Sequence, residues 1–122
     1  MKHTIHYLLL AILALPACKR VNDNNPALIG AWQGTEWLVF GKPMGQDATQ
    51  VEFEFTAEGD YMARFGNQEE NGVWRTQKDK LYTTAQGKKE IMVKILQLDD
   101  NILKFEMNRG GQQETIELKK TR

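Results

Sequence analysis

Apolar side chains recur at every second position through most of this chain, and the phase restarts every eight to twelve residues after a turn-forming cluster. A period of two puts successive side chains on opposite faces of an extended backbone, so it selects half-buried strands and excludes amphipathic helices. Val51, Phe53 and Phe55 share one face, with Gln50, Glu52 and Glu54 on the other. A turn at Glu58, Gly59 and Asp60 leads as a tight hairpin into Tyr61, Ala63 and Phe65, which oppose Met62 and Arg64. Gly72, Trp74 and Thr76 form the next inward set, then Leu81 and Thr83, then Ile91, Val93 and Ile95. In that last strand the phase slips, because Leu96 and Leu98 fall on the opposite face, and a β-bulge is expected there. Leu103, Phe105 and Met107, and finally Ile116 and Leu118, complete the series. With residues 32–40 in front, eight short strands are expected, and no useful helix beyond one turn around residues 27–29.

Short connections join neighbours to neighbours, so strand order in space should follow chain order. The expected fold class is all-β, a small eight-stranded antiparallel up-and-down barrel, since closure removes the exposed edges of a long sheet. A two-sheet sandwich is the alternative. Greek-key sandwiches need a long crossover, and the longest connection here, residues 41–49, is modest.

The first 17 residues read differently. Lys2 without any acid, an aliphatic run over residues 8–15, then Pro16 and small Ala17 before Cys18 follow the charged, apolar, cleavage-site order of an export signal. The run is too short to span a bilayer, which takes about 20 apolar residues. Leu15, Pro16, Ala17 and Cys18 resemble the lipobox of bacterial lipoproteins, which implies cleavage before Cys18 and acylation of its thiol. Cys18 is then the lipid attachment site and the membrane contact. Lys19 stands where inner-membrane retention signals place Asp, so the resemblance favours the outer membrane of a bacterial envelope. The expected division is a lipoprotein signal peptide at 1–17, a polar tether at 18–26, and one folded domain at 27–122.

Processing would remove both histidines, His3 and His6, and acylation would consume the only cysteine; serine is absent altogether. Nucleophilic triads and zinc sites draw on those residue types, so an enzyme, a metal and a cofactor are not expected. Carboxylate pairs such as Glu69 and Glu70, or Asp99 and Asp100, read as solvated turns. Losing Lys2 leaves 15 basic against 16 acidic residues, a formal charge of −1, so no basic field would gather nucleic acid.

Leu28, Ile29, Gly30, Ala31 and Trp32 resemble the Gly-x-Trp opening of lipocalins, and a second Gly-x-Trp stands at Gly72, Val73 and Trp74. Together with Phe55-Thr-Ala-Glu-Gly-Asp-Tyr61, the layout over residues 28–119 is similar to lipocalin-like domain lipoproteins of Bacteroidetes-type bacteria. The resemblance implies a lipocalin-like barrel and a small apolar ligand. It also implies a basic residue on the last strand stacked on Trp32, a place open to Lys119, Lys120 or Arg122. The chain ends too soon after the last strand for the C-terminal helix of longer lipocalins.

The inward faces carry Phe53, Phe55, Tyr61, Phe65, Trp74 and Phe105, with Trp32 plugging one end. These are the ligand-pocket candidates, and the expected entry lies beside Trp32. The same residues would also serve as a filled core, so two functions stand side by side. One is a membrane-anchored envelope lipoprotein binding one small apolar molecule. The other is a solid barrel acting on an unknown protein partner through its outer surface.

Overall fold

The computed structural model describes residues 24–122. Cys18, the signal at 1–17 and tether residues 18–23 lie outside the described residues.

A 3-10 turn, Pro26–Leu28, leads into β1 (Gly30–Val39), followed by β2 (Lys42–Pro43) and a second 3-10 turn at Ala48–Gln50. Then come β3 (Val51–Phe55), β4 (Asp60–Phe65), β5 (Gln68–Gln77), β6 (Lys80–Ala85), β7 (Ile91–Leu98), β8 (Ile102–Arg109) and β9 (Gln112–Lys120). Each strand pairs antiparallel with the next from β3 to β9, β1 pairs with β3, and β1 closes on β9. The result is the expected eight-stranded meander barrel, with β2 as a small flap on the last two residues of β1.

Register follows the alternation. Val51, Phe53 and Phe55 are buried and stand opposite Phe65, Ala63 and Tyr61 of β4, while Glu52 and Glu54 face outward beside Arg64 and Met62. A one-residue slip of β3 would turn Val51, Phe53 and Phe55 into water, which is why this pairing is firmly set. The β8–β9 connection uses Gly110 and Gly111 at φ 62° and 89°, the positive values that a two-residue hairpin turn needs at both central positions.

The expected bulge in β7 lies between Ile95 and Gln97. It returns Leu98 to the core side, where it packs against buried residues, and leaves Leu96 exposed. A second bulge, between Gly34 and Glu36 of β1, has the larger consequence. The extra residue shifts the inward phase from Trp32 and Gly34 to Trp37 and Val39. Gly34 also permits a close approach: a Cβ there would collide with the Ala48 carbonyl, so the 40–50 connection can lie against β1.

Two expectations need correction. Glu69 and Glu70 lie within β5 rather than in a turn, because the alternation of Gly72 and Trp74 extends back through Glu70. Ile91, expected inward with the core, is 56% exposed; it is the first residue of β7 and stands at the rim, where facing strands no longer cover it.

Candidate functional site

The barrel has one sealed end and one open end. At the sealed end Leu28 caps the interior and is fully buried. The Asn25 side chain accepts from the Ala27 amide at 3.0 Å, fixing the 3-10 turn that carries Leu28. Trp32, 1% exposed, donates its indole N–H to the Leu28 carbonyl at 2.9 Å. Lys120 Nζ stands 5.5 Å from the Trp32 ring centroid, a cation–π contact that fills the place left open among three basic residues. Phe55 stacks on Phe53 at 5.8 Å and meets Trp74 edge-on at 5.4 Å, while the Trp74 indole donates to the Thr56 carbonyl at 3.0 Å.

Phe53 marks where the filled core stops. On the side away from Phe55 it meets Phe65 at 5.7 Å and Phe105 at 5.5 Å, both edge-on. Above these three rings lies a cavity of about 560 Å³. Leu81, Thr83 and Val93 complete its lower wall, Trp37 and Met107 its upper wall, and Gln68, Glu70, Ile91, Met92, Asn108 and Arg109 its rim. That volume lies within the range of small-molecule pockets, and a mostly apolar wall with a few polar groups has their usual composition.

Of the seven pocket candidates, Phe53, Phe65 and Phe105 line this cavity, whereas Trp32, Phe55, Tyr61 and Trp74 do not. The last four pack at or toward the sealed end. This cavity does not lie beside Trp32, where the entry is expected: its lining takes in Trp37, toward the other end of β1. Packing explains the division, because Trp32, Phe55, Tyr61 and Trp74 fill the end that Leu28 and the β3–β4 hairpin cap. A shallower depression of about 290 Å³ does touch Trp32, but it lies over the outer face among Gln33, Glu52, Glu54 and Arg122.

Tyr61 lies beside Glu70 and Thr83 of the cavity wall. Burial pushes its phenol up, and the negative charge of Glu70 pushes it further, against a smaller opposing pull from Thr83.

Behind the upper wall, in contact with Trp37 and Arg109 but not itself lining the cavity, lies a buried acid. Glu114 on β9 is 2% exposed, lies across from Met107 of β8, and accepts the Trp37 indole N–H at 2.8 Å. Its other oxygen, Oε2, accepts no hydrogen bond, and the nearest cation is Arg109 Nε at 3.6 Å. The sequence pattern does not single out Trp37, Arg109 or Glu114; it places Thr83 and Met107 on inward faces without a site role and assigns Glu70 to a solvated turn. Extending the alternation of β5 and β8 would have found Glu70 and Arg109, while Trp37 depends on a bulge that no periodicity in β1 announces. Among the described residues, no group of three His, Cys, Asp or Glu side chains is placed to hold a metal ion.

Comparison with known proteins agrees with this architecture. A family model described as lipocalin-like domain matches residues 28–105. The chain belongs to the lipocalin-like domain family. Two solved structures share the fold of this lipocalin-like domain. One is an uncharacterized protein from Bacteroides eggerthii DSM 20697, at a TM-score of 0.59 and 16% identity over 76% of this chain and 98% of that one. The other is a lipocalin-like protein from Bacteroides uniformis ATCC 8492, at a TM-score of 0.59 and 14% identity over 77% and 98%. None of the curated proteins matches the sequence.

Proposed function

We propose that this lipocalin-like domain is a lipid-anchored envelope protein that takes one small, mostly apolar molecule into the open end of its barrel, as a carrier or sensor rather than a catalyst. The observation that carries the reading is the cavity of about 560 Å³ above Phe53, Phe65 and Phe105. A barrel of eight strands has room either to be filled by its own side chains or to hold one small ligand, and here the filling stops halfway. Titrating delipidated protein with small apolar compounds should give a saturable change in tryptophan fluorescence. Trp37 lines the cavity and Trp32 and Trp74 do not, so Trp37→Phe should remove most of that change while leaving binding measurable by calorimetry. A signal that survives Trp37→Phe intact would place the ligand elsewhere, and no saturable signal would remove the binding reading.

Anchoring through Cys18 is the second part of the proposal. Asn24 donates to the Trp74 carbonyl at 3.3 Å and accepts from the Thr76 amide at 2.8 Å, so the chain enters the domain at its sealed end. Asn24 lies six positions after Cys18, a reach of about 20 Å when extended. An acylated Cys18 would therefore hold the sealed end near the outer membrane and turn the mouth toward the aqueous space. The ligand would then be exchanged with solution, not directly with the leaflet. Mass spectrometry of membrane-extracted protein should give an acylated chain beginning at Cys18, and Cys18→Ala should abolish both acylation and membrane fractionation. A variant that is processed and fractionates like the parent would end this part of the reading.

One observation favours the surface-interaction alternative. Phe40 and Met44 are 62% and 63% exposed, and Phe40 follows the open end of β1. An apolar tip there could meet a protein partner whether or not the cavity is filled.

A further inference from the structure

Glu114 Oε2 is, among the described residues, the one buried side-chain oxygen or nitrogen without a hydrogen-bond partner. Leaving a buried acceptor unpaired is costly, and more so when it is charged. Such groups usually have a partner in the working state of a protein. Glu114 stands on the inner face of β9, flanked by Trp37, Met107 and Arg109, all three of which line the cavity. Its Oε1 is engaged by the Trp37 indole at 2.8 Å, which holds the carboxylate in place and leaves Oε2 with only the Arg109 Nε ion pair at 3.6 Å, too long for a hydrogen bond.

The other charges around the mouth point the same way. Arg109 is the cationic residue of the cavity wall, and its side chain is 62% exposed, so it can swing into water at little cost. Glu70 is the acid that lines the wall itself, and among the described residues its ion-pair partner is Lys88, at 4.0 Å and with 71% of its own side chain exposed. Glu70 and the buried Glu114 are thus the more enclosed partners of these pairs, and Arg109 and Lys88 are exposed cations that are free to leave.

We infer that the ligand's polar end is a hydrogen-bond donor, best a protonated amine, seated on Glu114 Oε2 between Trp37 and Met107 with Arg109 displaced into solvent. The amine would gain a charge-assisted bond to a carboxylate already desolvated, and the Trp37 ring beside it offers a further surface for a cation. A carboxylate ligand would face two acids and gain only the mobile Arg109. This inference rests on the cavity-binding reading and adds the class of ligand to it.

Three probes with one tail separate the two. Decylamine, decanol and decanoate are titrated against delipidated full-length protein at neutral pH, with calorimetry as readout. Decylamine should bind at least about tenfold more tightly than decanoate, the ratio expected from one charge-assisted bond. Glu114→Gln, which keeps a carbonyl oxygen for the Trp37 indole, should bring that ratio to within about threefold. Arg109→Gln, at an exposed position that the fold does not need, should widen the ratio in favour of the amine. Equal binding of all three probes would overturn the donor inference and leave the cavity reading standing. Tighter binding of decanoate, lost in Arg109→Gln, would overturn it in favour of a carboxylate ligand. An amine preference unchanged in Glu114→Gln would also overturn it, and no saturable binding by any probe would overturn both readings.

Discussion

Trp74→Ala is expected to destabilise the domain by about 3 to 5 kcal/mol, the range for truncating a large buried aromatic. Trp74 is 4% exposed and wedges against Phe55 at the sealed end. Its indole and its main-chain amide both hold the β3–β4 hairpin, bonding the Thr56 carbonyl at 3.0 Å and the Gly59 carbonyl at 2.9 Å. Alanine keeps the amide bond, loses the indole bond, and leaves a void between Phe55 and the hairpin. Collapse into that void is limited, because the surrounding positions are fixed by paired strands on both sides. Val73, the next residue on the same strand, faces outward at 55% exposure, so Val73→Ala should change stability by no more than about 0.5 kcal/mol. Urea unfolding should resolve the two as a large and a negligible shift in midpoint at constant slope. Comparable shifts would contradict the facing of β5 described above.

How far the sequence speaks for itself differs between the fold and the site. The alternation of Val51, Phe53 and Phe55 against Glu52 and Glu54 carries strand, face and register at once, because a period of two admits a single buried set. Closure follows from short connections and from the need to hide edges. Nothing in such a pattern states how deep the packing runs. Phe53 and Phe55 are indistinguishable as letters, yet one borders the cavity and the other lies beneath it, a difference made by Leu28 and the 3-10 turn crossing the barrel end. Trp37 was hidden for another reason. Its inward facing depends on the extra residue between Gly34 and Glu36, and that bulge depends on Gly34 letting the Ala48 segment come close. Glu114 is an ordinary strand glutamate in the sequence; its burial arises only when β1 closes on β9.

Gly72→Ala is expected to cost about 3 kcal/mol, the upper end of what overpacking produces, and to weaken ligand binding as well. Gly72 lies on the inward face of β5 between Glu70 and Trp74, paired with Tyr61 on one side and Ala85 on the other. A Cβ at this position would collide with the Thr84 carbonyl oxygen and come within 2.9 Å of Ala85 Cα. These are backbone atoms of the adjacent strand, so no side chain can move aside, and relief requires β5 and β6 to part locally. Glycine within a strand commonly marks such a close approach. The parting would reach the ladder that pairs Val73 with Thr84 and Trp74 with Thr83, and with it the placement of Glu70 and Thr83 in the cavity wall. Gly110→Ala provides the comparison. Gly110 has a φ of 62° and open space where a Cβ would go, so its cost is the left-handed backbone alone, about 1 to 2 kcal/mol, with no effect on binding. If Gly72→Ala is the milder of the two, or binds ligand as the parent does, then β6 does not press on β5 and the second Gly-x-Trp has no steric basis in this barrel.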